Sequence, residues 1–153
     1  MEIRRERFDS EAGRILAEAL EAELLAAYDG VPGSGGLPSA SVFEPRNGGA
    51  FLVGRLEGEI VACGGIARYD GVTGEIRRMY VVPSARGRGL ARLVLAALED
   101  EARSLGYSFV RLETGRLQAT AIGLYVSAGF GPIPRYGPFL DDPRSVCFEK
   151  RLR

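Results

Sequence analysis

The stretch from Glu75 to Gly106 constrains this chain most. It begins as the strand-like run EIRRMYVV, meets Pro83-Ser84, and passes through Arg86-Gly87-Arg88-Gly89. From Arg86 to Leu105 it reads as a helix, in which Leu90, Val94, Leu98, Ala102 and Leu105 recur at three- or four-residue spacing, and Gly106 supplies the stop. A helix start leaves backbone N–H groups unpaired and carries partial positive charge, and glycines let an anion approach that backbone closely. The segment predicts a strand–turn–helix unit with an anion site where the helix opens; its plainer reading is a tight turn alone. No GK[ST] follows, so it is not a Walker loop, and it does not fit GxGxxG.

Around this unit the remaining elements fall into order. Glu2 to Phe8 alternates weakly, as a first strand would. Ser10 is placed to cap a helix running to about Tyr28, with Ile15, Leu16, Ala19, Leu20 and Leu24 on one face. A long irregular segment follows, with six glycines and three prolines between Gly30 and Gly49. A connection of that length is either a loose surface loop or a flap over a site. Ala50 to Leu56 and Ile60 to Arg68, split by Glu57-Gly58-Glu59, predict a hairpin. Tyr107 to Glu113 is a further strand, Gln118 to Ala128 a short helix stopped by Gly129, and Ser145 to Lys150 a last strand. The order β-α-ββ-β-α-β-α-β predicts an α/β domain with a mixed sheet, and the absence of repeats and linkers predicts a single domain over residues 1–153.

What is missing narrows the chemistry. The chain has no histidine, which excludes Ser-His-Asp and Cys-His catalysis and any His-ligated metal. Its two cysteines, Cys63 and Cys147, lie far apart in apolar runs and read as small buried hydrophobes; a disulfide or a reactive thiol is the alternative. No metal is expected. Lys+Arg and Asp+Glu both number 20, so no net field draws nucleic acid or an anionic membrane, although Arg86 to Gly89 could form a local basic patch. The apolar runs are short and the start MEIRRERF has no apolar core, so a cytoplasmic protein without a membrane partner is expected. A homodimer is left open.

Two motifs resemble those of the GNAT N-acetyltransferase superfamily. Arg86-x-x-Gly89-x-Ala91 is similar to its Q/R-x-x-G-x-G/A signature and sits where that signature should, between a strand and an amphipathic helix. Gln118-x-x-Ala121-x-x-x-Tyr125-x-x-x-Gly129-Phe130 resembles the family's N-x-x-A-x-x-x-Y-x-x-x-G-F. The resemblance covers roughly residues 50 to 150, and the first fifty residues fit as a variable acceptor-side region. It implies acetyl-CoA as co-substrate. Backbone amides of Arg86, Gly87, Arg88, Gly89, Leu90 and Ala91 would hold the pyrophosphate, and main-chain groups of Met79 and Val81 would pair with the pantetheine arm. Tyr125 aligns with the tyrosine that protonates the leaving sulfur. Gln118 stands where the family has Asn and keeps an amide. Arg88 and Arg92 could reach the phosphates or remain solvated.

The implied reaction needs two proton movements. A lysine-like amine with pKa near 10.4 is neutral in only about one molecule in 2,500 at pH 7, a cost of about 4.6 kcal/mol. Without histidine, a carboxylate is the natural base. Glu75 on the motif strand, where several family members carry a glutamate base, is the first candidate, and Glu113 on the next strand the second; each could equally be an arginine-paired strand end. The acceptor is expected to be a small-molecule amine, an amino acid or polar metabolite, because Arg77, Arg78 and Arg135 suit a carboxylate; a peptide amine is the alternative. Tyr136 is expected in a turn, with the acceptor pocket as its further setting. A non-catalytic acyl-CoA-binding module would not need Tyr125 beside a carboxylate.

Overall fold

The computed structural model describes all 153 residues. Seven strands form one sheet: β1 (Glu2–Arg5), β2 (Ala50–Leu56), β3 (Glu59–Arg68), β4 (Thr73–Val81), β5 (Phe109–Gly115), β6 (Gly131–Ile133) and β7 (Ser145–Arg151). Their spatial order is β1-β2-β3-β4-β5-β7-β6, and only β4 and β5 run parallel. Three helices cover the sheet: α1 (Glu11–Ala27), α2 (Leu90–Ser104) and α3 (Ala119–Ser127). The mixed α/β architecture is the expected one, with β6 added. None of the helices is long and apolar enough to cross a membrane.

Local chemistry accounts for most boundaries. Ser10 Oγ accepts from the Gly13 amide at 3.1 Å and so caps α1. Leu16 and Leu20 of that helix are buried against Phe51, Val53 and Cys63, whereas Ile15, expected on the same face, is exposed. The β2–β3 connection needs only Glu57 and Gly58, both with positive φ (51° and 83°), the conformation that matches the twist of a two-residue hairpin. On the opposite face Leu90, Val94, Leu98 and Ala102 of α2 are buried with Ile66, Ile76, Val110 and Leu112.

Three expectations shift. Helix α2 begins at Leu90 instead of Arg86, because Pro83–Ala85 forms a 3-10 turn and Gly87 and Gly89 both adopt left-handed φ (80° and 75°), which a helix cannot accommodate. The segment between Gly30 and Gly49 is not uniformly irregular: 3-10 turns at Ala40–Phe43 and Pro45–Asn47 bury Phe43 among Phe8 and Phe51, at centroid distances of 5.0 and 5.5 Å. The edge strand β6, three residues containing a proline, adds itself along β7.

The feature that shapes the molecule lies in β4. Arg78 has φ 61°, and the β3–β4 register slips by one residue at this point. Such a bulge bends its strand and re-aims the residues that follow. A non-glycine residue in this region costs roughly 1–2 kcal/mol, and the Arg78 guanidinium anchors it by reaching the Ala17 carbonyl and Glu21 of α1, each at 3.4 Å. Parallel pairing of β4 with β5 covers only Thr73 to Ile76 against Phe109 to Leu112, while β5 continues along β7 to Gly115. Beyond Ile76 the two strands part, and the sheet opens as a wedge.

Candidate active site

A cleft of about 400 Å³ fills this wedge. Its walls include Glu75 and Met79 from β4, Glu113 from β5, Gln118 and Tyr125 from the α3 segment, and Val31 to Leu37 from the glycine-rich segment. Seven of the residues singled out from sequence for chemistry therefore meet in one place: Glu75, Arg77, Arg78, Met79, Glu113, Gln118 and Tyr125.

The two carboxylates have different surroundings. Glu75 Oε2 accepts a 2.7 Å hydrogen bond from Tyr136 Oη, and its Oε1 stands 3.8 Å from Arg77 Nε. Glu113 Oε2 accepts from Ser145 Oγ at 2.6 Å. Burial pushes the Glu113 carboxyl up, with the nearby charges of Asp142 and Glu75 adding to the effect. Tyr125 is buried, edge-on to Phe130 at 5.8 Å, with its Oη directed at Met79 Sδ at 3.8 Å. Burial raises its phenol to about 12, and the Glu113 charge acts in the same direction. Glu113 thus bears electrostatically on Tyr125, whereas Glu75 is held by Tyr136 beside Arg77.

The strand edge and helix start present unused backbone donors. Val82 N–H bonds to the Val61 carbonyl, so in antiparallel alternation the main-chain groups of Val81 and, two residues earlier, Met79 point away from β3. They face the side that β5 has vacated. Arg86 Nε donates to the Val81 carbonyl at 2.9 Å and its Nη2 to Glu23 at 2.6 Å, so that side chain folds back on β4 and α1. The Arg86 amide itself donates to Pro83, and the run of amides without a protein acceptor starts one residue later than expected: Gly87, Arg88, Gly89, Leu90, Ala91 and Arg92. Leu90 faces the core and offers its backbone alone. A Cβ built on Gly87 or Gly89 would meet nothing within 4 Å, so the approach is open. Arg88 is exposed, and Arg92 reaches Ser127 Oγ at 2.8 Å. This run lies outside the cleft lining, at the far end of β4. The amide of Gln118 turns inward, where its Oε1 accepts from the Gly115 N–H at 2.8 Å and closes the β5–α3 turn.

Several side chains stand elsewhere than sequence suggested. Tyr136 does not line the cleft; it lies behind Glu75, with its ring 4.7 Å from the Arg111 guanidinium and 5.7 Å from Phe139. Arg135 is absent from the lining and donates to the Asp142 carbonyl. Both cysteines are buried and outside the cleft, and burial raises both thiols, that of Cys63 to about 12, which leaves neither as a nucleophile. The roof of the cleft was the least visible part. Ser34 Oγ donates to Asp142 at 2.5 Å, and Arg144 bonds to Asp142 at 2.8 Å and to the carbonyls of Val31 and Pro32. Arg144 and Ser34 hold the Asp142 carboxyl well below the usual range. Only residues 31–37 of the glycine-rich segment roof the cleft; farther along, Val42 and Phe43 pack into the aromatic cluster.

The arrangement matches known proteins. Residues 16–130 match the family model described as Acetyltransferase (GNAT) family. An IAA acetyltransferase of Azospirillum brasilense is 48% identical over 103 residues, which span 67% of each chain. Matched segments in five further curated relatives span 39–64% of those proteins. Among solved structures, a putative acyl-CoA N-acyltransferase from Klebsiella pneumoniae superposes with TM-score 0.83 at 33% identity, covering 99% of this chain and 97% of that one. A GNAT family acetyltransferase from Elizabethkingia anophelis with acetyl-CoA bound has the same fold, with TM-score 0.71 at 17% identity over 99% and 97% of the two chains.

Proposed function

The chain belongs to the GNAT acetyltransferase family, and from that membership we propose that it transfers an acetyl group from acetyl-CoA directly to the primary amine of a small metabolite, the whole chain acting as one catalytic domain. The observation that carries most weight is the run of six unengaged amides from Gly87 to Arg92, continuous with the open edge of β4 that leads into a cleft holding two carboxylates and a tyrosine. A pyrophosphate suits the amides at the helix start. An extended arm suits the outward main-chain groups of Met79 and Val81 as an added strand would, once Arg86 Nε releases the Val81 carbonyl. Acetyl-CoA, when bound, supplies the activated acyl group as a thioester.

The chain's own residues then have divided work. Glu75, with Oε1 free of hydrogen bonds and Tyr136 fixing Oε2, takes the proton of the acceptor ammonium. The freed nitrogen forms the C–N bond as the C–S bond breaks, and the electron pair of that bond leaves on sulfur. Tyr125 Oη, kept protonated by burial, donates to the departing sulfur. Glu113 serves the sulfur side, where its charge, with burial, keeps the proton on Tyr125 Oη until the departing sulfur takes it. The reading of a small acceptor is supported by the name of the Azospirillum relative and by the pinned roof over the cleft.

Coenzyme binding is tested at Gly89. Gly89→Val puts a branched side chain where the phosphate would approach and removes nothing from the core. Losing one or two hydrogen bonds to a charged group, each worth about 1.5–3 kcal/mol, should weaken acetyl-CoA binding at least 10-fold. Unchanged affinity by calorimetry in a folded variant would place the coenzyme elsewhere. Tyr136→Phe deletes the hydroxyl that fixes Glu75 and should lower kcat by roughly 10-fold, the weight of one such hydrogen bond. A kcat identical to wild type in steady-state kinetics would free Glu75 from Tyr136.

A further inference from the structure

Three arginines line the cleft, and two are spoken for within the protein. Arg78 binds Glu21 and the Ala17 carbonyl. Arg144 binds Asp142 and two roof carbonyls. Arg77 differs. Its side chain is 23% exposed and Glu75 Oε1, at 3.8 Å from Nε, is its ionic neighbour, beyond hydrogen-bond length. It donates no hydrogen bond to any protein group. A half-buried guanidinium whose fork of donors is taken up by no protein group is open to a ligand in the cleft, and a carboxylate is the ligand that fits that fork with two parallel bonds. The roof leaves room for it: a Cβ on Gly35 would stand 3.9 Å from Arg77 Nη2, and glycine has none.

The neighbour across from Arg77 says what else the ligand carries. Glu75 uses Oε2 for Tyr136 and has Oε1 to spare. Glu75 and Arg77 therefore offer a negative and a positive group side by side, unjoined by a hydrogen bond. An amine bearing a carboxylate on the same carbon is the reverse pair, with its ammonium for Glu75 and its carboxylate for Arg77. Resting on the acetyl-transfer reading of this cleft, we infer that the acceptor is a free α-amino acid whose carboxylate is bound by Arg77, which makes Arg77 the residue that sets acceptor specificity. The amine that loses its proton to Glu75 is thereby held by its other end.

The test uses L-methionine, L-phenylalanine, L-leucine and L-glutamine, each beside its α-carboxamide, with N-acetyl product quantified by mass spectrometry. The wild type should favour the free acids by roughly 10- to 100-fold in kcat/KM, the weight of hydrogen bonds to a charged group. Arg77→Met should abolish that preference, chiefly by raising the acceptor KM, and Arg77→Lys, which keeps the charge but not the fork, should retain part of it. Equal wild-type rates on acids and amides, or a preference that survives in Arg77→Met, would overturn the inference. Should Arg77→Met fail to fold, the wild-type ratio and Arg77→Lys still decide. A protein that binds acetyl-CoA yet acetylates neither series overturns the amino acid acceptor alone; one that binds no acetyl-CoA overturns the reading of the cleft beneath it.

Discussion

Replacing Tyr125 by phenylalanine is expected to lower kcat by about 10²–10⁴-fold while acetyl-CoA affinity changes little. The ring packs edge-on to Phe130 and near Phe148, and both contacts survive the change. The hydroxyl makes one soft contact, to Met79 Sδ at 3.8 Å, so its loss leaves no orphaned partner and the melting temperature should hold. Its value lies in the transition state, when the sulfur gains charge. A phenol at about 12 facing a thiol near 8.5 would give up its proton uphill by about 3.5 units, close to 5 kcal/mol. Tyr125 therefore acts as a hydrogen-bond donor while the C–S bond lengthens, and completes the transfer to sulfur only as the proton shed by the new amide nitrogen restores its hydroxyl, Glu75 returning the first proton to solvent. A folded variant retaining more than half of wild-type kcat, with chemistry limiting turnover, would remove Tyr125 from the mechanism.

Glu75→Gln should cost a similar factor, about 10²–10⁴-fold near neutral pH, with a distinctive pH signature. Glutamine keeps the size and still accepts from Tyr136 Oη but cannot take a proton. The variant then depends on amine that is already neutral in solution. Its rate should climb as pH rises toward the acceptor's own pKa, and the gap to wild type should narrow there. Glu113→Gln is the comparison: Glu113 accepts from Ser145 Oγ and bears on Tyr125 instead of taking the acceptor's proton, so the loss should be smaller. The reverse ranking in steady-state kinetics across pH would assign the base to Glu113.

How far the sequence revealed these features follows from their physics. The β4–α2 unit was legible because its periods are local: alternation before Pro83, three- and four-residue spacing after Gly89. The helix start was misjudged by four residues because Gly87 and Gly89 fit a helix pattern in spacing and break it in φ. The bulge at Arg78 left no mark in the sequence, since an arginine holds a left-handed conformation there only through contacts with α1, some sixty residues away. That bulge separates β4 from β5 and so creates the cleft. The meeting of Glu75, Glu113 and Tyr125 was anticipated through motif resemblance, but the partners that distinguish the carboxylates, Tyr136 and Ser145, arrive from loops and strand ends that carry no periodic signal. The same holds for the Ser34–Asp142–Arg144 pins beneath the roof.

The central claim is that this cleft joins acetyl-CoA to an amine, and product stoichiometry tests it most directly. Purified protein is incubated with acetyl-CoA and the amino acid and amide series, and free CoA thiol and N-acetylated amine are quantified in the same samples. Equal amounts of thiol and N-acetyl product, growing together and dependent on Tyr125 and Glu75, are predicted. Thiol released from acetyl-CoA without a matching amount of acetylated amine would contradict it.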